Sequence, residues 1–214
     1  MNKKSVRGRL ITLEGLEGVG KSTHLEFVAG MLRSRGLKVL VTREPGGTPG
    51  ADEIRNTLLK VREESFEPIA ELLLMFASRA LHVENVIRPA LSANQWVVCD
   101  RFIDASYAYQ GGGRGMPAGR IAYLERMVLK GLKPDLTLLL DADVHTGMER
   151  VHSRGNLDRF EQEKTAFFQR VRRVYLMRAR RDPRRIKRVD ASQGIAAVQA
   201  EISRLLDRSV RRWK

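Results

Sequence analysis

Gly15-Leu16-Glu17-Gly18-Val19-Gly20-Lys21-Ser22 follows the pattern G-x-x-x-x-G-K-[ST]. Glycines at its first, fourth and sixth places let the chain curl until successive backbone N–H groups converge on phosphate oxygens. Lys21 supplies a movable point charge for the β- and γ-phosphates, and Ser22 offers a hydroxyl to Mg²⁺. The chemistry implied is binding of a nucleoside triphosphate. A glycine-rich turn without function is the plain alternative, but an apolar run ends at Glu14 and a helical pattern starts at Ser22, which is the setting a phosphate loop needs. The loop leaves the reaction open, since GTPases, motors and small-molecule kinases all use it.

Other residues with chemical use stand where apolar runs stop. Thr42-Arg43-Glu44-Pro45-Gly46-Gly47, Asp100-Arg101-Phe102 and Asp141 each follow such a run. In an open α/β sheet, ligands gather beyond the carboxyl ends of the strands. Phosphoryl transfer needs a metal, positive charge around the migrating group and a well-placed acceptor. Asp100 suits a metal or metal-water ligand, and Arg101 a phosphate clamp; Asp141 has the same form, so spacing leaves both acids open.

The elements that must position these groups alternate in type. Strands are predicted at 9–14, 38–42, 95–99, 135–140 and 186–189. Helices are predicted at 22–35, from Pro68 to about Ile87, and at 121–130, 144–153, 160–181 and 195–213, with 43–50 and 111–115 as loops. Continuous apolar strands separated by helices indicate a doubly wound α/β fold with a parallel sheet covered on both faces.

The 214 residues are 43% apolar and 30% charged, with a net charge of +14 and one cysteine. That length suits one domain, here 9–214 after a basic extension at 1–8. The lone Cys99 excludes a disulfide framework and a multi-cysteine zinc site and reads as core; the four histidines form no metal-ligand spacing. With no apolar run long enough to span a bilayer and no signal segment, a cytoplasmic protein is expected, and a membrane is not an expected partner. Between Arg150 and Arg188, fourteen Lys and Arg stand against four Asp and Glu. A solvated helix face explains that excess better than a nucleic-acid surface, because Phe160, Phe167, Phe168 and Tyr175 have the spacing of a helix core.

Five motifs together resemble the bacterial thymidylate kinases: Glu14 to Gly18 with Lys21-Ser22, Thr42 to Thr48, Asp100-Arg101, Tyr109 to Gly115, and Pro134 to Thr137. They occur in that family's order and span about Arg9 to Leu206. The resemblance implies the nucleoside monophosphate kinase fold, a five-stranded parallel sheet wrapped by helices, and a homodimer. It implies transfer of the γ-phosphoryl of ATP, with Mg²⁺, to dTMP. A kinase of another monophosphate is the alternative, and a P-loop ATPase that binds nucleic acid a more distant one.

Residue by residue, the resemblance puts Arg43, Arg55 and Arg101 near the acceptor phosphate, and Asp100 with Ser22 at the metal. It puts Arg79 on the thymine edge, with Ser106 and Gln110 flanking the base, and adds Glu44 and Tyr107 on the dTMP side. The family's base-stacking phenylalanine falls here on Met75, so the neighbouring Phe76 is expected at the base. Residues 152–160 resemble the family's lid. The loop carries Glu17 and no arginine, so Arg154 and Arg159 of that lid are expected beside the γ-phosphate, with Lys21, Arg101 and Glu17 completing the catalytic set.

Overall fold

Leu10–Gly15 (β1), Val39–Arg43 (β2), Trp96–Asp100 (β3), Leu136–Asp141 (β4) and Ile186–Asp190 (β5) pair in the order β2-β3-β1-β4-β5, all parallel. This computed structural model describes residues 8–61, 64–153, 155 and 157–213. Arg154 and most of the expected extension at 1–8 lie outside the described residues. Register sets Leu13 of β1 and Arg43 of β2 on either side of Asp100, so these carboxyl ends open at one edge of the sheet. The polar residues there come together because the strands end together.

Both faces of the sheet are buried, which is why the strands read as unbroken apolar runs. Ile11, Leu13, Val98 and Leu138 pack with Lys21–Arg33 (α1), Thr165–Arg181 (α8) and Ile195–Trp213 (α9). Leu10, Val97 and Cys99 pack on the other face with Pro68–His82 (α3), Arg88–Ser92 (α4) and Ala118–Leu129 (α6). Pro49–Leu59 (α2), Ile103–Ser106 (α5) and Val144–His152 (α7) complete the helices described.

Three expectations are corrected. Gly111 to Gly113, expected in a loop, close a π-helical turn, Tyr107–Gly113, that lies against α8. A Cβ on Gly113 would stand 2.4 Å from the Phe167 ring, so glycine is there to let helix meet helix. Pro89 does not end the preceding helix region: a π turn at Val83–Ile87 leads into α4, where Pro89 occupies the first turn and its missing N–H costs nothing. Helix α8 starts at Thr165, not Phe160, because the Asp158 carboxylate accepts the N–H groups of Phe160 (2.8 Å) and Glu161 (2.9 Å) and holds a turn. Helix α2 was not anticipated; Thr48 caps it by accepting the Ala51 N–H.

Much of the arginine-rich segment is structural. Arg172 and Arg188 both bind Asp141, and Arg178 and Arg185 both bind buried Asp104. Arg173, Arg180, Arg181 and Arg184 lie exposed.

Candidate active site

A cavity of about 430 Å³ opens at the carboxyl edge of the sheet. Its walls include Glu17, Gly18, Gly20, Lys21 and Ser22 of the phosphate loop, Glu44 and Arg55, Arg79 of α3, Asp100 and Arg101 after β3, and Ser106 and Gln110 of the following helical turn. Leu16 and Val19 turn inward to the core and anchor the loop from below. No side chain caps α1, so its N-terminus faces the cavity as a positive dipole end.

Lys21 Nζ donates to the Leu16 carbonyl at 2.6 Å, folded back on its own loop. Desolvation, with Arg101 nearby, pulls its ammonium from 10.5 down to about 8. Arg101 has a left-handed backbone, φ 64°, and donates to the Gly15 carbonyl (2.8 Å), Tyr175 Oη (3.2 Å) and Glu17 Oε1 (2.9 Å). Burial would lower this guanidinium, but Tyr109 and Glu17 outweigh it and hold the charge well above its ordinary value. Beneath it, Glu14 accepts the Phe102 N–H (2.8 Å) and the Tyr175 hydroxyl (2.7 Å). Burial, then the Asp104 carboxylate, pushes Glu14 up to about 8.

Asp100 Oδ1 is buried without a hydrogen-bond partner and belongs to the same cavity as Ser22. An orphaned carboxylate oxygen sharing a cavity with a hydroxyl is a donor set that fits a hard cation. Asp141, the alternative acid, has both oxygens occupied by Arg172 and does not line the cavity.

At the other wall, Arg79 is 3% exposed, and each of its three nitrogens makes one hydrogen bond, which leaves one N–H on each terminal nitrogen for a ligand. Its Nε donates to Glu44 (2.7 Å), and its terminal nitrogens donate to Ser106 Oγ (2.9 Å) and the Phe102 carbonyl (3.2 Å). Glu44 also meets His82 Nδ1, whose Nε2 meets Thr42. Arg55 donates to the Pro45 carbonyl, and burial, then Arg43, lowers its pKa. Glu44 therefore lines the site as the support of Arg79. Cys99, desolvated in β3 and held well above its ordinary value, is core.

Four expected site residues fall elsewhere. Phe76 is buried in the core under the Arg79 guanidinium, 4.8 Å away, while Met75 lines the cavity. Tyr107 points to Glu125 and lies under Arg178; Tyr109 lines the cavity instead, because Ser106, Tyr109 and Gln110 share one helical face. Arg43 is exposed and pairs with Asp52. Arg159 binds Glu71 at 2.8 Å and the Leu58 carbonyl at 2.9 Å, away from the phosphate loop. Among the described residues, Arg150 of α7 also reaches the loop: it lines the cavity with Nη1 3.4 Å from the Gly18 carbonyl. Arg150 is not among the residues expected from the sequence; its signal there is helical spacing, three residues beyond Gly147 on the face that meets the loop.

A family model, described as thymidylate kinase, matches residues 13–202. The chain belongs to the thymidylate kinase family. It is 54% identical over 200 residues to the thymidylate kinase of Teredinibacter turnerae, which covers 94% of this chain and 98% of that one. It is 55% identical over 207 residues to that of Pseudomonas putida, covering 97% and 99%. The crystal structure of thymidylate kinase from Ehrlichia chaffeensis superimposes with a TM-score of 0.76 at 31% identity, covering 94% of this chain and 99% of that chain. The sheet order and helix layers are thus those of the thymidylate kinases, in the P-loop nucleoside monophosphate kinase fold. As a thymidylate kinase, the chain is an ATP-dependent nucleoside monophosphate kinase. Among the described residues no helix is long and apolar enough to cross a membrane.

Proposed function

We propose that ATP lies on the phosphate loop with Mg²⁺ at Ser22 and Asp100, and that dTMP lies against Arg55, Arg79, Ser106 and Gln110, in one cavity. The single observation that carries this reading is that the loop and those four side chains line the same cavity, with an unpartnered Asp100 oxygen in its wall. In the reaction, a dTMP phosphate oxygen attacks the γ-phosphorus, and the bond to the oxygen bridging the β- and γ-phosphates breaks to release ADP. A phosphate monoester is largely doubly ionised at neutral pH, so no general base is required. Magnesium held by Ser22 and Asp100 would supply positive charge against the negative charge that develops on the phosphate oxygens.

Lys21 exchanges its Leu16 carbonyl for phosphate oxygens. Arg101, fixed by Glu17 and the Gly15 carbonyl, needs no reorganisation to face the migrating group. Arg150 supplies charge beside Gly18, and the segment 152–160 is the lid, with Arg154 as its phosphate contact and Arg159 as its root. Leu16, Val19 and Gly15 act through backbone. The cytoplasm is the compartment assigned, in keeping with a single, buried, free cysteine. A homodimer belongs to the same reading: Ile69 and Leu73 of α3 and Tyr123 and Met127 of α6 are exposed apolar side chains that a second copy would cover.

The test is ADP release with ATP and Mg²⁺ against dTMP, dUMP, dCMP, dGMP and AMP at equal concentration. Turnover with dTMP far above the rest is the expected result; similar turnover across the set would remove Arg79, Ser106 and Gln110 as base selectors.

A further inference from the structure

Glu71 lies in α3, is 0% exposed, and lines no part of the cavity. It accepts from three side chains: Arg159 at 2.8 Å, Arg114 Nε at 3.1 Å, and Gln110 Nε2 at 2.9 Å. A buried carboxylate is costly unless its charge is compensated, and here two guanidinium groups compensate it. An ionised carboxylate has only acceptors. Gln110, also buried, can therefore meet Glu71 only through its NH₂ group. Its other amide atom, the acceptor Oε1, is what remains for the cavity that Gln110 lines.

We propose that Glu71 is a positioning residue for base selection: it fixes the polarity of the Gln110 amide, so that the site presents an acceptor beside the donor Arg79. This rests on the proposed placement of the base between those two side chains. Thymine offers the complement, an N3–H donor beside the O4 acceptor. Cytosine offers the reverse, an N3 acceptor beside an N4 amino donor, and would face acceptor with acceptor and donor with donor. A site whose hydrogen-bonding groups are held in one polarity rejects the reversed partner because its buried groups go unpaired. Were Gln110 free to turn, the amide would serve both bases.

The experiment measures kcat/KM for dTMP and for dCMP in the wild type and in Glu71→Gln, where the neutral amide can accept from or donate to Gln110. The expected result is a fall of about threefold or more in the dTMP to dCMP ratio, because Gln110 can now turn its NH₂ to the cavity. Equal losses for both substrates, with the ratio unchanged, would mean a merely structural role and overturn the proposal. Should Glu71→Gln not fold, the exchange Glu71→Gln with Gln110→Glu restores one carboxylate to the pair and keeps an acceptor toward the cavity. It must retain the preference for dTMP, and its loss would count against the proposal. Failure of the underlying placement looks different: Gln110→Met would leave the dTMP to dCMP ratio of the wild type intact.

Discussion

Gly18 of the phosphate loop and Gly147 of α7 meet backbone to backbone: a Cβ on Gly18 would stand 2.1 Å from the Gly147 carbonyl oxygen, and one on Gly147 2.7 Å from the Glu17 carbonyl oxygen. This contact, with no side chain on either side, brings Arg150 one helical turn further on over the loop. Gly147→Ala must push α7 away. We expect a stability loss of about 1–3 kcal/mol from overpacking, together with a lower kcat/KM for ATP as Arg150 withdraws. Thermal unfolding and initial rates test this; ATP kinetics equal to wild type would show that Arg150 does not act from α7.

Among the described residues, Glu44 is the one carboxylate bound to Arg79, and Arg79 is buried. Glu44→Ala would leave that guanidinium in the interior without its charge partner, a change that typically costs about 3–5 kcal/mol. Urea denaturation should show it as a lower midpoint. A shift below about 1 kcal/mol would mean that water, not Glu44, compensates Arg79.

Lys21 gives a pH signature. In the free enzyme its ammonium titrates at about 8, depressed by desolvation, and phosphate oxygens would raise it again. ATP binding at pH 8 should therefore take up about 0.5 proton per site, and almost none at pH 6.5. Calorimetry in buffers of different ionisation enthalpy reads this directly. Lys21→Arg, charged throughout, should abolish the uptake. Wild-type ATP affinity should also weaken as pH rises through 8.

The Glu14 pKa is displaced upward, opposite to that of a carboxylate held by an ion pair. Burial raises it from 4.5 to about 8, so between those values the folded chain keeps a proton that the unfolded chain releases. Its protonation thus contributes stability that is fully present below about pH 4.5 and is lost as pH rises through 8. Glu14→Gln can still accept the Phe102 N–H and carries no charge to lose. Its melting temperature relative to wild type should rise steadily from pH 5 to pH 8. A constant offset would place the Glu14 proton elsewhere.

The phosphate loop, the strand ends and the parallel sheet were legible in the sequence. Each is local: a glycine spacing, an apolar run and the polar residue that stops it. Legibility failed where a side chain's direction depends on a neighbouring element. Met75 and Phe76 are adjacent in α3, and which one faces the cavity is set by the angle at which α3 packs on the sheet. Tyr107 and Tyr109 differ likewise by helical phase in a turn whose π geometry no propensity signals.

By itself the sequence determined a P-loop α/β fold, the family, and most of the side chains that line the cavity, because these follow from short-range pattern. Only the tertiary structure decided that Arg159 is anchored on Glu71 and that Arg150 stands at the loop. It also decided that Asp100 rather than Asp141 keeps an oxygen free. The physical reason is that a charged group is assigned by the partner nearest to it in space, and here those partners lie between 31 and 132 residues away along the chain.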